Sequence, residues 1–235
     1  MLDHHAAEAM HVDSSSSEGR SAQKTSIRLD LSHGIHIQRL EDLELVIVSK
    51  STAGFSVAQA QLLGKLVRDI ASGNSWPCKF LVFDLASRGT APAKPSREFE
   101  TFVEELSNLI FQVPVLSVAW VRHDLSGPDL ELALACSMLV GEAGARLTFD
   151  VDLVDSLRTY ALLAHKIGFV QAERLMETGT VLSASAAHDL MILHSVVPSG
   201  EGAEGIRLFV ASRTRRHNSA CGLYRAQRIA MLGAV

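Results

Sequence analysis

The chain has 235 residues, 47% of them hydrophobic, enough to bury the core of one domain of the larger kind. Its formal net charge of −4 supplies no global basic field, which disfavours nucleic acid and anionic membrane as partners. The longest apolar stretches, residues 113–121 and 130–140, fall far short of the roughly 20 residues a bilayer span needs, so no membrane partner is expected.

Residues 1–25 are rich in Ser, His, Ala and Glu, with the run Ser14-Ser15-Ser16-Ser17, and read as a disordered tail that cannot repay the entropy of ordering. His4, His5 and His11 sit on that tail without rigid surroundings to orient them, so no metal is expected. From Ser26 the texture changes to alternating segments, 27–31 and 35–38, then the apolar run 43–48, all read as strands. Ser56-Val57-Ala58-Gln59 has capping-box spacing ahead of Leu62, Leu63, Leu66, Val67 and Ile70, which predicts a helix over 57–72. Gly73, Asn74 and Pro77 break it, and residues 80–83 read as a strand buried on both faces.

Ser96 then caps a second helix carrying Phe99, Phe102, Val103, Leu106, Leu109 and Ile110, ended by Val113-Pro114, and residues 115–120 form another buried strand. The order β-α-β-α-β with short connections predicts an α/β fold with a mostly parallel sheet. Beyond Leu130 helices are expected to dominate, at 130–137, 152–165, 169–177 and 184–190, with two amphipathic segments after Gly205. The opening residues lack the basic-then-apolar order of a secretion signal, and Cys78, Cys136 and Cys221 show no paired spacing, so a reducing cytoplasm is the expected setting.

The most informative stretch runs Trp120-Val121-Arg122-His123-Asp124-Leu125-Ser126-Gly127-Pro128-Asp129-Leu130-Glu131-Leu132-Ala133-Leu134-Ala135-Cys136. A loop that leaves a parallel strand and opens a helix offers backbone N–H groups and a positive dipole end to an anion. This stretch resembles the crotonase (enoyl-CoA hydratase/isomerase) pattern, in which Asn-Gly and a glycine turn precede Glu-Leu-Ala-Leu-Ala-Cys-Asp; Glu131 to Cys136 match it residue for residue. The likeness continues through Ala145-Arg146-Leu147, Arg174-Leu175-Met176-Glu177-Thr178-Gly179, Ser183-Ala184-Ser185-Ala186-Ala187 and His194-Ser195-Val196-Val197-Pro198, in the family's order, and covers roughly residues 27–230.

The resemblance implies a spiral of β-β-α turns over residues 26–200, followed by a helical segment of the trimerisation type over 201–235. It also implies an acyl-CoA thioester as partner, a homo-oligomer (trimer or dimer of trimers), no cofactor, and enolate stabilisation by two backbone N–H groups. Loss of one such donor costs on the order of 10²–10³ in rate. Pro128 falls where the second donor belongs and has no N–H to give, with Gly127 beside it. The first donor maps to the shortened loop Ala86-Ser87-Arg88-Gly89-Thr90-Ala91-Pro92, with Arg88 N–H as its counterpart or the whole an ordinary surface turn.

Of the two carboxylates that share acid and base work in hydratases, Glu131 occupies the first position, as catalytic group or as cap of its own helix. Val151 falls under the second, where Asp150 or Asp152 substitutes only with a shift of register. His123 beside Asp124, with Arg122, is either an oriented base or solvated loop polarity. Arg213, Arg215, Arg216, His217, Arg225 and Arg228 gather positive charge near the end, as a solvated face, a contact for the CoA phosphate, or an RNA contact that the acidic chain disfavours.

Two functions follow: an acyl-CoA enzyme of lyase or isomerase type, in fatty acid metabolism, with an altered site; or a catalytically silent homologue serving as a binding or regulatory subunit. No Gly-x-Gly-x-x-Gly or Gly-Lys-Ser/Thr follows any strand, and no Gly-x-Ser-x-Gly elbow is present, so the usual nucleotide and hydrolase signatures are missing.

Overall fold

The computed structural model describes residues 26–30, 32–52, 55–73, 77–85, 97–149 and 157–213. The chain opens with three strands, β1 (Ser26–Asp30), β2 (Ile35–Leu40) and β3 (Leu45–Lys50), joined as an antiparallel meander with Ile35 opposite Lys50. Helix α1 (Val57–Ala71) starts where the sequence marks it: the Ser56 side chain accepts from the Gln59 N–H, and Gln59 Oε1 accepts from the Ser56 N–H. Strand β4 (Phe80–Leu85), helix α2 (Arg97–Gln112) and strand β5 (Leu116–Val121) follow, with β3, β4 and β5 parallel neighbours.

From β5 the chain makes two β-β-α turns. The short β6 (Asp124–Leu125) leads into α3 (Gly127–Ala135); then β7 (Met138–Glu142) and β8 (Arg146–Thr148) lead on to α4 (Leu157–Ile167). In each turn the first strand joins the main sheet, β7 parallel to β5, and the second joins a smaller sheet, β8 parallel to β6. Helix α5 (Phe169–Thr178), β9 (Val181–Ser183), α6 (Ala184–Asp189), β10 (Ser195–Val197) and α7 (Gly202–Ala211) complete the described chain. The main sheet has the order β1-β2-β3-β4-β5-β7-β10 and the small one β6-β8-β9. This is an α/β spiral of β-β-α turns, and it is not the doubly wound arrangement that the first β-α-β-α-β unit alone would allow.

The centre of the sheet is buried on both sides, so β3, β4, β5 and β7 are apolar along most of their length, whereas β2 alternates. One face, carrying Val46, Val48, Leu81, Phe83, Ala119, Val121 and Leu139, packs on the α1, α2 and α3 side of the main core. The other, carrying Leu45, Ile47, Phe80, Val82, Val118, Trp120 and Val140, is covered by Ile206 and Val210 of α7. Gly141 allows a close approach on β7, since a Cβ there would lie 2.6 Å from Leu193 Cδ1.

Two expectations need adjustment. Helices do dominate after Leu130, but β7, β8, β9 and β10 lie among them. The apolar run 130–140 hides a helix that ends at Cys136 and a strand that begins at Met138, and strands of three to five residues are too short to show a period. Helix α3 also begins at Gly127, with Pro128 in its first turn, where a missing N–H costs the helix nothing. The tail, Ser96 and the basic run after Arg213 lie outside the described residues.

The packing of α7 predicts a contrast. Ile206→Ala, at a fully buried site, should lose about 2–5 kcal/mol of unfolding free energy in urea, whereas Leu208→Ala on the exposed face of the same helix should stay within about 0.5 kcal/mol.

Candidate active site

Parallel strands deliver their polar residues to one place, the carboxyl edge of the sheet, which is where ligands bind in open α/β sheets. Here Lys50 ends β3, Asp84 is next to last in β4, Arg122 follows β5 and Glu142 ends β7. Side chains alternate along a strand, so these groups divide between the two faces. Lys50 shares the face of Val46 and Val48, on the α3 side; Asp84 shares that of Phe80 and Val82, on the α7 side.

On the α3 side, the chain leaves β5 through Arg122 and His123, forms β6, and turns into the helix at Ser126 and Gly127. Gly127 has φ 53°, in the left-handed region open to glycine, which lets the helix begin abruptly. Ser126 is the N-cap residue but makes no side-chain capping bond. Asp129 lies in the first turn, favourably placed against the positive end of the helix dipole. Its two oxygens accept from Lys50 Nζ at 2.9 and 2.8 Å, and both side chains are largely buried, 5% exposed for Lys50 and 13% for Asp129.

The Lys50 ammonium also lies 5.1 Å from the centre of the Phe55 ring, which in turn meets Phe99 of α2 edge-on at 6.1 Å. Gln59 fixes the connection from β3 into α1 by donating to the His33 carbonyl and to Thr52 Oγ1. Since β4 lies between β3 and β5, and strands are about 4.8 Å apart, the ion pair spans the carboxyl end of β4. Glu131, two residues beyond Asp129, is 6% exposed within α3. Residues two apart on a helix point to opposite sides, so Asp129, in the first turn of α3, and Glu131, in the next, lie on opposite sides of the helix.

On the α7 side, Arg122 Nη2 donates to Asp84 Oδ2 at 2.5 Å, and its Nε lies 3.9 Å from Glu142 Oε1. Glu142 is fully engaged: Oε1 accepts from Trp120 Nε1 at 3.2 Å and Oε2 from the Gly200 N–H at 2.7 Å, just ahead of α7. Asp84 Oδ1 is buried with no hydrogen-bond partner. Burial pushes the Asp84 carboxyl above its ordinary pKa; Arg122 pulls the other way, Glu142 raises it further and His123 lowers it slightly.

The fold can now be compared with known proteins. No protein-family model matches the chain. A search of curated proteins finds YhaR of Bacillus subtilis, provisionally named an enoyl-CoA hydratase/isomerase, 30% identical over 108 residues, a match spanning 45% of this chain and 42% of YhaR. An enoyl-CoA hydratase structure from Geobacillus kaustophilus superposes with a TM-score of 0.73 at 16% identity, covering 86% of this chain and 81% of that one. An enoyl-CoA hydratase/carnitine racemase structure from Magnetospirillum magneticum gives 0.71 at 13% identity, covering 85% and 81%. DspI of Pseudomonas aeruginosa gives 0.72 at 19% identity, covering 88% and 89%. The chain has the crotonase fold.

In this fold the candidate residues fall in several places. Glu131, Gly127 and Pro128 come together at the start of α3. Arg88 and Gly89, after β4, and Asp150, Val151 and Asp152, after β8, lie outside the described residues. His123 is half-buried between β5 and β6, while the Asp124 carboxylate is held by Arg146 through Nε at 2.9 Å and Nη2 at 2.5 Å on the exposed small sheet. Arg122 is directed to Asp84 and Glu142. Sequence reasoning missed Lys50, Asp84 and Glu142; their signal was a charged residue at the carboxyl end of an apolar strand. Among the described residues no group of three or more His, Cys, Asp or Glu could hold a metal ion, and no helix is long and apolar enough to cross a membrane.

Because the folded pKa of Asp84 is raised, the folded state holds that proton more tightly than the unfolded chain. The resulting stability is present below the unfolded pKa and is lost as pH rises through the folded one. Urea unfolding at a series of pH values from about 4 upward should therefore show Asp84→Asn gaining on the parent as pH rises, then levelling. A gain that shrinks with pH would mean that Arg122 outweighs burial.

Proposed function

We propose that the chain binds an acyl-CoA thioester and stabilises its enolate at the start of α3, with Glu131 moving the proton. The observation that carries this reading is the buried Glu131 side chain on a helix reached from the carboxyl end of β5 through the short β6. Support comes from the enoyl-CoA hydratase names of YhaR and of the Geobacillus protein. A carboxylate held out of water at this point can take a proton from the carbon next to a thioester carbonyl and return it elsewhere.

The site departs from the two-carboxylate, two-donor arrangement of hydratases. Pro128 gives no N–H, and Val151 stands under the second glutamate position. One proton relay suffices for isomerisation, decarboxylation or thioester hydrolysis, and these are the reaction types the site fits best. Arg88 N–H, Gly89 and one of Asp150 or Asp152 are assigned to the same site as carbonyl donor, loop and second carboxylate. A homo-oligomer is part of this reading. The second reading, a silent homologue used for binding or regulation, draws on Pro128 and on the Lys50–Asp129 pair that occupies the same helix start.

Calorimetric titration with CoA, acetyl-CoA and crotonyl-CoA, followed by deuterium exchange from solvent into acetyl-CoA, tests the two readings. The parent should bind the thioesters at micromolar concentration and exchange. Glu131→Gln should bind comparably and exchange about 10²–10⁴-fold more slowly. No heat with any thioester leaves the silent homologue.

A further inference from the structure

We propose that Lys50 supplies the carbonyl-polarising charge that Pro128 withholds, its ammonium standing in for the missing backbone N–H at the start of α3. This rests on reading the site as a thioester site. Pro128 and Asp129 are adjacent, so the cation bound to Asp129 is held within a residue of the lost donor. A buried ion pair is a poor source of stability, since well-packed apolar residues of the same size do as well or better, so the pair is not explained by what it adds to the fold. Its position is explained by function: it spans the carboxyl end of β4, between the β3–α1 connection and the helix start.

The walls suit the task. Phe55 and Phe99 exclude water around the ammonium, which strengthens its field, and a charged donor forms a hydrogen bond roughly twice as strong as a neutral one. Asp129 keeps Lys50 aimed, as a positioning residue. Glu131 stands on the opposite side of the helix start, so base and cation approach a thioester from two sides. In the step itself the bond from the α-carbon to hydrogen breaks and its proton passes to the Glu131 carboxylate. The electron pair moves into the carbon–carbon bond as the carbonyl pair moves onto oxygen beside Lys50. The site's net charge is unchanged and nothing is oxidised or reduced.

The test uses crotonyl-CoA labelled with ¹³C at the thioester carbonyl, read by NMR in the full-length protein, alongside binding heat and deuterium exchange into acetyl-CoA. The parent should shift the bound carbonyl resonance downfield of free thioester. Lys50→Met should still bind, lose that shift and exchange about a hundredfold more slowly, and Lys50→Arg should recover part of both. If Lys50→Met does not fold, Lys50→Gln, which keeps an N–H toward Asp129, makes the same comparison. A Lys50→Met protein that binds as well or better with the shift and exchange intact overturns the role of Lys50 and leaves the thioester reading standing. A parent that binds no thioester overturns both.

Discussion

Charge brought to the carboxyl edge of a sheet buried on both faces is the constraint from which the rest of this molecule follows. Apolar strands such as β4 and β7 leave polar residues no place but their ends, and the parallel arrangement gathers those ends together. Each charge must then find its opposite, because an isolated buried ion is far too costly. Lys50 finds Asp129 on the side of the helices α1 to α3; Arg122 finds Asp84 and Glu142 on the side of α7. One sheet edge thus carries two polar centres, back to back, with different tasks. The first ties β3 to the start of α3, and the second fastens α7 through Glu142 and the Gly200 N–H.

The start of α3 shows how one substitution serves a helix and alters a site. Proline in a first turn suits the helix, with its torsion already set and its missing N–H not needed. The same residue withdraws a donor from any anion placed there. Asp129 adds a negative charge where the helix dipole favours one and where a substrate oxygen would otherwise be the sole anion, and Lys50 balances it. What the backbone gives up here, side chains from a distant strand are in place to return.

The sequence displayed what is local. The Ser56–Gln59 capping box, the apolar faces of α1 and α2 and the continuous strands β3, β4 and β5 are written within windows of a few residues, and all are present. The match from Glu131 to Cys136 pointed to the crotonase fold that the structure has, although no single landmark was strong. Pairing across crossovers was not legible. Lys50 and Asp129 are 79 residues apart and Arg122 and Asp84 are 38 apart, and no spacing rule links a strand end to a helix two crossovers later. Strand β7 was hidden for a different reason: its apolar start, Met138 to Val140, follows an apolar helix with only Cys136 and Ser137 between them.

Strand β10 adds a consequence for the order in which the molecule is made. It completes the main sheet by lying beside β7, with Ser195 against Val140 and His194 anchored to Leu139 across 55 residues of chain. Until that stretch has been synthesised and has folded back, β7 holds an open edge, apolar from Met138 to Gly141, at the side of the sheet that β10 will cover. Closing so long a loop is slow, and an open apolar edge is what neighbouring chains stick to. Nascent copies of this protein are therefore most prone to aggregate in the interval between the emergence of β7 and that of β10, and crowding on the ribosome or a chaperone that shields this one edge would govern the yield of folded protein.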